Sequence, residues 1–181
     1  MRYQGSKTKM GGILQDLVYA NIKEGQWYIE PFGGGMNSFS VIDHPLKMAI
    51  DINPYLIEFW NSVKNGTFTQ DKWDLCKNIT EDEYYKMKYD CINGIGYYNK
   101  DIIGYVAFAC SYGGGWWNGY AKFNPKKKEN HIIEAYNGTM KQIENFKNLS
   151  FMTSLETILR NQFAELQNTN LSQFIARQEE Q

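Results

Sequence analysis

The sequence predicts an α/β fold built on one half of a doubly wound parallel sheet. Two observations predict it. Residues 27–65 spell strand, glycine turn, helix, strand, acidic residue and helix in that order. A further apolar run, Leu149-Ser150-Phe151-Met152-Thr153, offers a third strand after a long stretch of helical character. Composition agrees with a folded domain: 43% of the 181 residues are hydrophobic and 22% charged, which excludes disorder.

The elements follow in order. Residues 8–23 read as a helix, because Met10, Ile13, Leu14, Leu17 and Val18 fall at spacings that line one face. Trp27-Tyr28-Ile29-Glu30-Pro31-Phe32 reads as a short buried strand, stopped by Pro31 and Gly33-Gly34-Gly35. A helix is expected from Met36 to just before Asp43-His44-Pro45. Leu46-Lys47-Met48-Ala49-Ile50 is the second strand, ending at Asp51. Asn53-Pro54 opens a helix through Leu56, Ile57, Phe59, Trp60 and Val63, with Pro54 suited to the first turn and Gly66 to the exit. Residues 70–100 are polar and aromatic with helical tendency. Residues 102–123 form an aromatic, glycine-rich block, and Lys126-Lys127-Lys128 precedes a helix expected over 129–147. After the third strand, Leu155, Ile158, Leu159, Phe163 and Leu166 line a last helical face, with Ser154 as its cap.

Charge and cysteines narrow the function classes. Nineteen basic against 20 acidic residues leave a net charge of -1, so nucleic-acid contact has to come from a local patch. No apolar run approaches the ~20 residues of a membrane helix, and the first seven residues lack the apolar stretch of a secretory signal. The three cysteines (Cys76, Cys91, Cys110) lie far apart without a CxxC pair, which fits a reducing cytoplasm and no zinc site.

Glu30-Pro31-Phe32-Gly33-Gly34-Gly35 at a strand end suits a nucleoside site, because glycines let backbone pass close under a ligand. Asp51, about twenty residues on at the next strand end, can accept both hydroxyl protons of a ribose. The spacing is not GxGxxG, which argues against a nicotinamide cofactor. Three glycines by themselves also make a plain tight turn; Asp51 in register favours the ligand reading.

Three separated motifs, Arg2-Tyr3-Gln4-Gly5-Ser6-Lys7, Glu30-Pro31-Phe32-Gly33-Gly34-Gly35 and Asp51-Ile52-Asn53-Pro54, resemble those of the Dam-like DNA adenine-N6 methyltransferases. That family is strongly represented in phages and in restriction-modification systems. The block from Gly104-Tyr105 through Gly113-Gly114-Gly115-Trp116 to Gly119-Tyr120-Ala121 resembles its phage members, and the likeness covers roughly residues 1–153. The resemblance implies a partial Rossmann-like methyltransferase sheet (residues 1–66 and 149–153). An aromatic, helical, target-recognition-like lobe (67–148) is inserted in it, and a carboxyl-terminal helical segment (154–181) follows. It also implies S-adenosylmethionine as cofactor, with Tyr3 and Lys7 near its methionine part, Phe32, Gly33 and Gly35 forming the loop, and Asp51 on the ribose. The plain alternatives are a solvated Lys7 and a Phe32 that is simply core.

Members of the family activate the adenine amine with a motif of the form Asp/Asn/Ser-Pro-Pro-Tyr/Phe, expected on a fourth strand. It does not occur in these residues. The four prolines, Pro31, Pro45, Pro54 and Pro125, are never adjacent, and Asn53-Pro54-Tyr55 imitates the motif only in part. No catalytic residue is assigned, and the resemblance implies a chain holding the cofactor half without the catalytic one. The first strand is then left with an open edge, for which a homodimer or a protein partner is the expected cover. Tyr112, Trp116, Trp117 and Tyr120 could stack on bases while Lys122, Lys126, Lys127 and Lys128 neutralise phosphates of double-stranded DNA. The plain alternative is an aromatic core beside a solvated lysine loop. Three readings follow: a degenerate methyltransferase that binds cofactor and DNA in the bacterial cytoplasm, a repurposed phage inhibitor of a host defence nuclease, and half of a split active enzyme.

Overall fold

The computed structural model describes residues 1–122, 130–146 and 151–154. Its sheet has three parallel strands in the spatial order β1 (Tyr28–Glu30), β2 (Lys47–Asp51), β3 (Phe151–Ser154). Glu30 pairs in register with Ala49 and Asp51 with Ser154, so the two strand-end carboxylates stand near one edge of the sheet. The helices are α1 (Gly11–Asn21), α2 (Pro54–Lys64), α3 (Gln70–Asn78), α4 (Glu81–Ile92), α5 (Lys100–Ala109) and α6 (His131–Asn145). This is the mixed helix and small-sheet architecture that the sequence predicts.

Local chemistry explains where the helices start. Asn53 Oδ1 accepts from the N–H groups of Tyr55 and Leu56 at 3.0 and 3.1 Å, and Pro54 occupies the first turn of α2. Thr80 and Glu83 form a reciprocal capping box at α4. Asn130 caps α6 in the same way as Asn53. The helix α2 then buries Leu56, Ile57, Phe59 and Trp60. Phe59 meets Phe68, Trp73 and Tyr105 at ring-centroid distances of 5.2, 5.9 and 5.1 Å, so α2, α3 and α5 share one aromatic core. At Gly104 the two helices touch backbone to backbone: a Cβ there would lie 2.0 Å from the Tyr55 carbonyl oxygen. The apolar core runs without a break from Met36 and Ala49 beside the sheet to Tyr84 and Ile132 among the helices.

Three expectations change. Residues 36–42 form turns rather than a helix. Met36 adopts φ 55, which no right-handed helix permits. The carbonyls of Phe39 and Ile42 accept instead from the buried Lys47 ammonium, at 3.2 and 2.7 Å. Second, β1 is not a buried strand: Ile29 is 51% exposed and β1 pairs only with β2 among the described residues. Third, the predicted face of α1 is turned outward, with Ile13 and Leu17 exposed and Val18 buried. The expected helix from residue 155 onward lies outside the described residues, as does the run Lys126-Lys127-Lys128. Among the described residues no helix is long and apolar enough to cross a membrane.

Candidate functional site

The end of β1, the glycine turn after it and the first residues of the chain meet in one cleft. Tyr3, Lys7, Glu30, Phe32 and the three glycines Gly33, Gly34 and Gly35 line it. Asp51 holds its glycine turn: Oδ2 accepts from the Gly34 N–H at 2.8 Å, and Oδ1 from the Asn53 N–H at 2.9 Å. The Gly33 N–H extends the strand pairing to the Ile50 carbonyl, and Trp60 Nε1 donates to the Gly34 carbonyl at 3.3 Å. The glycine turn is therefore pinned from three directions by β2 and α2.

Tyr3 occupies the space that the glycines leave. A Cβ on Gly34 would come within 2.7 Å of the Tyr3 ring, and one on Gly35 within 2.6 Å of Tyr3 Cβ. The ring also packs on Phe108 of α5 at 4.8 Å. Burial, and after it the Asp51 carboxylate, raises the Tyr3 phenol above its ordinary range. The remaining cavity volume is about 20 Å³. The backbone of the same segment is held on its far side, where the Gln4 N–H donates to the Gly114 carbonyl at 2.9 Å.

Glu30 is the residue that sequence reasoning missed. Its buried carboxylate accepts from Ser38 Oγ at 2.5 Å and from the Tyr28 hydroxyl at 3.2 Å. Burial pushes its pKa up, opposed by those two bonds and by the Lys7 charge. A carboxylate at the end of a strand that opens into a glycine turn was the feature that could have marked it. Of the predicted cofactor residues, Tyr3, Lys7, Phe32, Gly33 and Gly35 all line the cleft, and Asp51 is bonded to its glycine turn. Phe32 is 77% exposed, so it stands on the rim rather than in the core.

The motifs read from the sequence thus share one site at the carboxyl edge of a parallel sheet. The family model for D12 class N6 adenine-specific DNA methyltransferases matches residues 3–180. The chain belongs to that family. The match takes in the cleft, the sheet and every helix described above. Nothing among the curated proteins matches the chain.

The aromatic block of this family member divides into outward and inward residues. Tyr112 is 71% exposed, and Trp116 is partly exposed on Tyr55 and Phe108, at 5.7 and 5.1 Å. Trp117 is 4% exposed and packs edge-on against Tyr84 at 5.1 Å, so its ring is not offered to a ligand. Tyr120 donates its hydroxyl to the Ile79 carbonyl at 2.8 Å and is half-buried beside Tyr84. Lys122 is exposed and paired with Glu81 at 2.9 Å.

Proposed function

We propose that this methyltransferase-family chain binds S-adenosylmethionine against the glycine turn and Asp51, and that its 181 residues do not transfer the methyl group unaided. The observation that carries the reading is the Asp51–Gly34 hydrogen bond, which joins two motif ends in one cleft with Tyr3 and Lys7. The donor set suits the cofactor. Each Asp51 oxygen keeps a further lone pair for a ribose hydroxyl, and the Glu30 carboxylate can meet an ammonium group. The cleft volume of about 20 Å³ is too small for a nucleoside, so binding moves the Tyr3 ring off Gly34. When bound, the cofactor supplies an electrophilic methyl group. The chain's residues bind and orient it, but no Pro-Pro motif is present among them to orient an adenine amine.

Calorimetric titration with S-adenosylmethionine tests this. Binding is expected to the wild-type chain and to be lost in Asp51→Ala, and labelled methyl transfer to adenine-rich DNA is expected to be nil. Absence of heat at millimolar cofactor overturns the first half, and transfer by the chain alone overturns the second. Exposed Tyr112, Trp116 and Lys122 favour a DNA contact.

The β1 edge supports a second reading, in which the chain works as part of a complex. Trp27, Ile29 and Phe32 are exposed together beside a strand paired on one side only among the described residues. Light scattering at micromolar concentration is expected to give a dimer or larger species; a monodisperse monomer refutes this reading.

A further inference from the structure

We propose that a second cavity binds a guanine base carrying a phosphate group. It lies where the end of α4, residues 93–99 and the start of α5 meet the first turn of α2. Its volume is about 410 Å³, inside the range of ~300–1,000 Å³ found for small-ligand pockets. Tyr55, Asp90, Cys91, Tyr98 and Lys100 are on its walls, and none of them lines the cleft of the glycine turn.

Asp90 is the residue that calls for a ligand. It is 7% exposed, and its carboxylate has no hydrogen bond or ion pair among the described residues. The one bond to residue 90 from the following loop, from the Ile95 N–H at 2.8 Å, goes to the backbone carbonyl. Asp90 also stands in the last turn of α4, where helix carbonyls already gather negative charge, and no basic residue shares that turn. A carboxylate that lines a cavity without a partner of its own is free to accept from a donor that enters there.

The rest of the cavity restricts what that donor can be. Lys100 is exposed and is not paired with Asp90, so a simple cation would meet a like charge. A simple anion would meet Asp90. Tyr55 and Tyr98 are half-buried rings that suit a flat ligand. The Tyr55 ring packs on Trp116 at 5.7 Å, so that wall is held in place. A planar ligand with two adjacent N–H donors and an anionic group satisfies Asp90, both rings and Lys100 together. Guanine presents N1–H and its 2-amino group side by side, matching the two oxygens of a carboxylate. Adenine offers one donor beside an acceptor, and that acceptor would face the carboxylate. Phosphate completes the pairing at Lys100.

The guanine can come from a free nucleotide or from a DNA strand, and a calorimetric titration of the full chain separates them. GMP is expected to bind at least about tenfold more tightly than AMP, which leaves Asp90 unpaired, and than guanosine, which leaves Lys100 unpaired. Short single-stranded oligodeoxynucleotides with and without guanine form the second arm. Tighter binding of the guanine oligonucleotide than of GMP assigns the source to DNA, and the reverse assigns it to free nucleotide. Asp90→Asn is expected to lose the guanine preference while its thermal midpoint holds or rises, because an unpaired charge has been removed. Lys100→Ala, at an exposed position, is expected to weaken GMP binding without affecting guanosine or folding. Absence of binding to both GMP and the guanine oligonucleotide at millimolar ligand overturns the proposal. So does equal binding of GMP and AMP, or GMP binding unchanged in Lys100→Ala. None of these residues touches the proposed cofactor cleft, so the two sites stand or fall separately.

Discussion

Gly33-Gly34-Gly35 and Gly113-Gly114-Gly115 have the same sequence and face the same short segment, residues 2–4, from opposite sides. They accommodate it differently. At the first turn the space is filled mainly by a side chain, with the Tyr3 ring over Gly34. At the second it is filled by backbone: a Cβ on Gly114 would lie 2.7 Å from the Tyr3 nitrogen and 2.9 Å from the Arg2 carbonyl carbon. A ring can rotate away about χ1, whereas a main chain bonded from Gln4 to Gly114 cannot. Gly34 is therefore a surface that can be uncovered, and Gly114 is a fixed seat.

That contrast can be broken by substitution. Gly114→Ala is expected to have the largest effect. It adds the strain of a left-handed alanine (φ 72) to a backbone overlap, together about 3 kcal/mol by thermal or urea unfolding. The loss should be the same in a Tyr3→Ala background, because the overlap is with main chain. Gly34→Ala (φ 51) is expected to cost less, about 2 kcal/mol. Part of that, about 1 kcal/mol, should disappear in the Tyr3→Ala background, because the overlap is with the ring. Equal coupling at both positions in the double-mutant cycles would erase the distinction between surface and seat.

The smallest effect concerns pH, and only the first turn should show it. Burial raises the folded-state pKa of Glu30 above its value in the unfolded chain. The folded protein therefore holds this proton more tightly. Stability from it is present below the ordinary carboxylate range and is lost as pH rises through the folded value. Glu30→Gln is expected to flatten the decline of the thermal midpoint across that window. A midpoint profile unchanged by the substitution would show that the Ser38 and Tyr28 bonds offset the burial completely.

Much of the fold was legible because its cues are local. Asn53-Pro54 states the start of α2 in two residues. Residues 36–42 were not legible. Their helix is replaced by carbonyls turned to Lys47, a buried lysine inside what reads as an ordinary strand. The cofactor-side residues were found because three motifs share one register. Glu30 escaped because its partner Ser38 sits on the far limb of the turn. Trp117 was read as an outward aromatic because nothing nearby in sequence announces Tyr84, thirty-odd residues earlier, as the ring it packs on.

The bond from Gln4 to Gly114 spans more than a hundred positions of the chain. Ribosomes add ~5–20 residues per second, so roughly 5 to 20 seconds separate the making of residue 4 from the making of its partner. Within that interval the strand–turn–strand unit around Gly33 and Asp51 is completed in sequence, while the Gln4 N–H above it still lacks the Gly114 carbonyl. For these residues the order of synthesis and the order of locking run in opposite directions. Residue 4 is made early and secured late.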